Sequence, residues 1–359
     1  MITGKTITSD NVKLSEVTEL YVSQGAGKIM AYEGLDHFYI GQPVLIENNK
    51  GLSAKARQSI YVARADNTID AYASDWKDFC DWCSQQGQAY FPAAPETIVN
   101  YINDLADNAK ANTVARRISA LTENYDAAGL TDNPCRMPLV KDALRGIKRM
   151  KGTLQQGKMP ILFDDLKEML RHADGHALEQ ARNRAILLIG FYGAMRRSEI
   201  AALNVEDLRF SRLGLLITIR NAKTDKSGQG QIVAIPAVGD ESVDAVRALR
   251  HWLQAARITT GPVFRGFTKK RSVRKTHISD KSIALIVKKY AEAVGMNPKD
   301  YGAHSLRHGF ATSAAQHKVE ERQIMRQTRH KSQAVVRRYI DEADRLIDNP
   351  VFKITGEDT

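Results

Sequence analysis

At 359 residues, 43% hydrophobic and 26% charged, the chain can build two domains with separate cores and has an ordinary globular composition. Its formal net charge of +11 suits a polyanionic partner, nucleic acid before a membrane surface, because no basic amphipathic terminus or lipidation signal is present. Three cysteines are too few and too odd for a disulfide framework and fit a reducing cytoplasm, and neither a membrane-spanning run nor a signal-peptide pattern is found.

Residues 1–53 read as an N-terminal extension without an assignable role, Gly-rich around Gln24 to Gly27 and with a possible short strand from His37 to Ile40. Helical periodicity then takes over. Residues 54–150 are expected to form a four-helix bundle, with helices at Thr68 to Gln85, Ala94 to Asn108 opening at a proline, Asn112 to Ala128, and Leu139 to Lys151. Cys80 and Cys83 form a C-x-x-C, but no second ligand pair follows, and with Trp76, Phe79 and Trp82 they recur at core spacing rather than as a zinc site. The third helix sets Arg116 and Arg117 beside the apolar stripe Val114, Ile118, Leu121 and Tyr125. This gives it a basic shoulder that is either a solvated face or a DNA contact.

Residues 151–160, with Gly152, Gly157 and Pro160 among polar neighbours, read as a linker. Beyond it, helices are expected at Asp164 to Arg171 and at Leu178 to Ala194, the second apolar enough to be buried all round. It delivers Arg196-Arg197-Ser198-Glu199. A period-two segment, Leu215 to Ile219, and a second, Ile232 to Ile235, flank a polar turn holding Lys223 and Lys226 and read as a β-hairpin. After a helix from Asp240 to Ala256, the densest basic run (Lys269, Lys270, Arg271, Arg274, Lys275) forms a loop suited to phosphate contact before a helix from Ser279 to Val294. His304 and Arg307 are three apart and share one helical face, so both can address a single anion; by itself such a pair says little. His330 and the lone Tyr339, nine positions on, complete a His, Arg, His, Tyr order equipped to attack a phosphodiester. Tyr290 and Tyr301 read as packing residues. Residues 347–359 form a short tail.

The string HSLRHGFAT resembles the H-x-L-R-H-x-F-A-T box of the tyrosine site-specific recombinases (phage-integrase family), and RHKSQAVVRRY resembles that family's closing G-H-x8-Y box. The family's Gly before the second His is Arg329 here. Arg196 to Glu199 with the following L-x-x-x-D-L is similar to the family's first catalytic box, and the Phe91 to Glu96 turn and basic third helix resemble the core-binding domain of Cre-like members. The resemblance runs from about Ala54 to Leu346. It implies a mainly α fold with a small antiparallel sheet: an N-terminal SAM-like core-binding bundle followed by a catalytic domain over residues 161–346.

The resemblance also assigns roles. Tyr339 becomes the nucleophile that forms a 3′-phosphotyrosine; Arg196 (with Arg197 as competitor), His304, Arg307 and His330 bind the phosphoryl oxygens; Lys223 (with Lys226 as competitor) is the general acid; Glu199 orients the site. No metal or other cofactor is expected, since arginines take the Lewis-acid role. The implied partner is double-stranded DNA, with four protomers on two sites and a monomer or dimer off DNA, at the nucleoid in the cytoplasm. Two rivals stand beside this reading: a topoisomerase or telomere resolvase of the same chemistry, and a DNA-binding regulator that keeps the fold without catalysis.

Overall fold

The aromatic and cysteine positions of D-W-K-D-F-C-D-W-C turn inward on the first helix among the described residues of the computed structural model, α1 (Asp66–Gln86), where Trp76, Phe79, Cys80 and Cys83 are buried. The structure describes residues 66–128, 130–152, 157–172, 175–220, 230–330, 332–347 and 354. The strand expected at His37 to Ile40 and the rest of the N-terminal extension lie outside the described residues. The chain divides into two units, one running to Gln155 and the other from Gln156.

In the first unit α1 is joined by α2 (Pro95–Asn108), α3 (Ala111–Ala127) and α4 (Pro138–Lys151). Pro95 and Pro138 start their helices where an N–H has no intrahelical acceptor to lose. The stripe Val114, Ile118, Leu121 and Tyr125 faces a core that includes Trp76, Tyr101 and Ile147. Cys80, Cys83 and Cys135 are buried thiols inside this unit, and burial pushes the Cys83 and Cys135 thiols up to about 12. They pack as small hydrophobes, and no group of His, Cys, Asp and Glu able to hold a metal occurs among the described residues.

The second unit is built on α6 (Ala177–Tyr192), which follows α5 (Phe163–Arg171) and is buried along Ala185 to Phe191. It leads through a tight turn to α7 (Arg197–Ala202). The expected hairpin is present as β2 (Gly214–Ile219) and β3 (Gln231–Pro236), but β1 (Leu208–Phe210) pairs with β2 to make an antiparallel three-stranded sheet. The turn with Lys223 and Lys226 lies outside the described residues. Helix α8 (Ala245–Ala255) starts later than the expected Asp240, because the Asp244 side chain accepts from the Arg247 N–H and caps it.

Next come β4 (Arg265–Phe267) and β5 (Val273–His277), an antiparallel pair that turns the expected basic loop into a hairpin, with Lys269, Lys270 and Arg271 at its tip. Four helices close the unit: α9 (Asp280–Ala293), α10 (Ala303–Gln316), α11 (Glu321–Thr328) and α12 (Gln333–Ile347). Helix α10 is fixed by the segment that enters the unit. Ile161 donates to the Ser305 carbonyl at 3.1 Å and Phe163 to Ser313 Oγ at 3.0 Å, and a Cβ at Gly309 would lie 1.7 Å from the Ile161 carbonyl oxygen. Only glycine allows that approach. Among the described residues no helix is long and apolar enough to cross a membrane.

Candidate active site

The turn after α6 presents the first site arginine. Ala194 takes a left-handed conformation at φ 43°, and Arg196 then serves as the residue before α7. Glu199, one turn into that helix, accepts from the Arg196 backbone N–H at 2.9 Å through Oε2 and pairs with Arg196 Nη1 at 2.7 Å through Oε1. Arg197 points elsewhere, to an exposed ion pair with Asp280 at 3.0 Å. The two candidates thus differ in their partners: Arg196 stands on the buried glutamate and Arg197 does not.

Helix α10 supplies the next groups. Arg307 is 1% exposed and donates from Nη1 to the Ala194 carbonyl at 2.6 Å, which ties it to the Arg196 turn. Its Nη2, with Arg329 Nε and His330 Nδ1, is among the buried polar atoms that meet no hydrogen-bond partner in the protein. Burial, followed by the charges of Arg196 and Arg329, brings the Arg307 pKa down to about 10. His304 lies one turn earlier on the outer face, its pKa lowered by desolvation and then by Arg307, His308 and Arg196.

The last elements bring the tyrosine. Tyr339 on α12 is 9% exposed and packs with Ala311, Ala315, Ile324 and Val336, so its ring is held by α10 and α11. It packs against two imidazoles, with ring centroids 4.8 Å from His308 and 5.8 Å from His330. Desolvation, then Arg307 and Arg196, lowers the His330 pKa to about 3, so the ring is neutral at physiological pH.

Two residues enter that the sequence did not single out for a role. His308, four positions after His304 and so on the same side of α10, packs on Tyr339 and places Nδ1 3.0 Å from the Lys158 carbonyl. Arg329, which replaces the resembling family's Gly, ends α11 with φ 57°, the backbone that glycine favours. Its side chain turns inward, to Glu199 Oε2 at 2.7 Å and to the Gly193 carbonyl at 2.9 Å. Arg196, Glu199, Arg307, His330 and Tyr339 thus share one region with His304 at its rim. Lys223 lies outside the described residues.

The candidate DNA contacts are elsewhere. Lys269, Lys270, Arg271, Arg274 and Lys275 are exposed on the β4–β5 hairpin. Arg116 and Arg117 are not simply solvated: both pair with the buried Asp75, and Arg117 Nη1 also reaches Asp78 at 2.9 Å.

Residues 161–345 match the family described as "Phage integrase family", and residues 59–129 match "Phage integrase, N-terminal SAM-like domain". An integrase/recombinase xerD homolog of Selenomonas ruminantium is 48% identical, over 89% of this chain and 94% of its own. A tyrosine recombinase XerC of Thermodesulfovibrio yellowstonii is 25% identical over 76% of this chain and 85% of its own. Among solved structures, a XerH site-specific recombinase bound to palindromic difH substrate superposes with a TM-score of 0.57 at 17% identity, covering 86% of this chain and 88% of that one. A lambda integrase dimer bound to a COC′ core site gives 0.54 at 13% identity, covering 91% and 86%. At these identities the structural likeness speaks for the fold.

Proposed function

The chain belongs to the phage integrase family, and from that premise we propose that it is a site-specific DNA recombinase that cuts and rejoins strands through a phosphotyrosine. The observation that carries this reading is the meeting of Arg196, Arg307 and His330 near Tyr339, whose ring packs against the imidazoles of His308 and His330. A phosphodiester is anionic and has a poor leaving group, so covalent catalysis divides the work. The Tyr339 oxygen attacks the scissile phosphorus, the bond from phosphorus to the 5′-oxygen breaks, and a 3′-phosphotyrosine and a free 5′-hydroxyl result. The phenolic proton leaves to a base, and His330, packed against the ring, serves once the phosphate anion offsets the nearby arginines and raises its affinity for a proton. A proton reaches the 5′-oxygen from a general acid, the role that family resemblance gives to Lys223. Attack by a second 5′-hydroxyl reverses the sequence and restores the backbone without ATP.

The growing charge on the non-bridging oxygens falls to Arg196, Arg307 and His304 as fixed donors. On this reading the protein acts in the cytoplasm on double-stranded DNA, with four protomers joining two sites. The exposed cations of the β4–β5 hairpin and Arg116 on α3 contact phosphate; Arg117, held by two aspartates, does so less. The test is to trap covalent protein on fragmented host DNA and sequence the attached ends, with Tyr339→Phe as control. Wild-type adduct at a recurring sequence, absent from Tyr339→Phe, supports the reading, and adduct that persists in Tyr339→Phe moves the nucleophile elsewhere. Recovered sites placed on two plasmids then separate recombination from relaxation: joined products against relaxed circles.

A further inference from the structure

We propose that Arg329 is a positioning residue whose guanidinium clasps the turn carrying Arg196 to the turn carrying His330, bringing the phosphate-binding and nucleophile-bearing halves of the site into register. The inference rests on the reading of Tyr339 as nucleophile. Its basis is a set of shared partners. Glu199 holds Arg196 through Oε1 at 2.7 Å and Arg329 through Oε2 at 2.7 Å. The Ala194 carbonyl accepts from Arg307 Nη1 at 2.6 Å and from Arg329 Nη2 at 3.3 Å, while the Gly193 carbonyl accepts from Arg329 Nη1 at 2.9 Å.

Apart from the Gln327 carbonyl of its own turn, 3.4 Å from Nη1, the groups that receive Arg329 therefore also shape the seat of Arg196 or Arg307. The guanidinium is not placed as a phosphate ligand. Its side chain is 5% exposed, and both terminal nitrogens are spent on protein acceptors. His330 follows it directly, and α12 with Tyr339 begins three residues after that.

The backbone sharpens the point. Ala194 and Arg329 both occupy left-handed conformations, at φ 43° and φ 57°, that side-chain-bearing residues rarely adopt. Glycine would fit the second position without strain. Keeping arginine there makes sense when the side chain, not the turn, is what the site uses. Replacing it by glycine would leave Glu199 with one cation instead of two and the Gly193 carbonyl without this donor, freeing the Arg196 turn to shift against α12.

The experiment compares wild type, Arg329→Gly and Arg329→Lys in the full chain, each alone and with Glu199→Gln. The probe is a nicked duplex bearing the sequence recovered by covalent trapping. Half-site affinity is read by mobility shift, and single-turnover adduct formation is measured on DNA-bound protein only, so that lost folding cannot imitate lost cleavage. Arg329→Gly is expected to keep half-site affinity within about twofold and to slow adduct formation by on the order of tenfold to a hundredfold, the scale of a small misplacement of reacting groups. Arg329→Lys, which keeps the charge but not the fork, should recover part of the rate. With Glu199→Gln already present, Arg329→Gly should cost less than about threefold, because the link is already cut. A wild-type rate in Arg329→Gly, equal losses in both Glu199 backgrounds, or a loss of affinity that accounts for the loss of rate would each overturn the proposal. Absence of adduct from wild type would instead strike the recombinase reading itself.

Discussion

Arg307 uses one terminal nitrogen on the Ala194 carbonyl and keeps Nη2 clear of protein partners, an arrangement that suits a planar fork and not a point charge. Arg307→Lys is therefore expected to slow adduct formation by about 10²- to 10³-fold, the usual result of losing one transition-state donor, while half-site binding changes little. His330 makes a second prediction. Its folded pKa of about 3 lies below the ordinary value of 6.5, so the unfolded chain binds the extra proton first as pH falls. Stability should decline from about pH 6.5 toward pH 3 and be unaffected by this group above that window. His330→Gln should flatten part of the decline, as seen in thermal melts over that range. At this scale the placement was legible where spacing carries it: Arg196 beside Glu199, and His304 with Arg307 on one helix. The Arg196 and Arg197 ambiguity was not legible, because adjacent residues differ only in which way the turn aims them. Nor was the seat of Arg329, whose partner Glu199 lies 130 positions away in the chain.

Helix α10 meets the chain at Gly309 without room for another carbon. Gly309→Ala is expected to cost about 1 to 3 kcal/mol, since the neighbour is backbone and cannot turn aside, and a denaturant melt measures it. On α3, Arg117 shares the buried Asp75 with Arg116. Breaking a buried pair costs about 3 to 5 kcal/mol; with Arg116 still present, Arg117→Ala should lose about 1 to 2 kcal/mol from the first unit. Arg116→Ala should show itself more in DNA affinity. The long helices were readable from periodicity to within a few residues. Strands β1 and β4, three residues each, carry no periodic signal and exist because β2 and β5 offer them edges. The start of α8 was set by the Asp244 cap, which the apolar pattern does not encode.

At the scale of the whole molecule the sequence showed two helical units and a small sheet, since composition, period and punctuation all report on cores. It did not report the pairing of cations with acids across distant elements, which depends on tertiary placement. Beyond Tyr339, α12 continues to Ile347. Truncation after Asp344 is expected to leave a protein that melts like wild type and binds one half-site but no longer pairs sites cooperatively, as judged by mobility shift on full and half sites. A much lower melt would assign the tail to its own domain. The crowding of Arg196, Arg307 and Arg329 around the single carboxylate of Glu199 has one more outcome, in proton traffic. Desolvation, then the nearby cations, lowers the proton affinity of His304 and His330; a DNA phosphate entering this field opposes the cations, so that affinity rises as the duplex binds. Association should therefore draw protons from solution at mildly acid pH and scarcely any at pH 8. Calorimetry in two buffers of different ionisation enthalpy would read this uptake directly, and Tyr339→Phe, which binds without cutting, would show that it belongs to docking and precedes the chemistry.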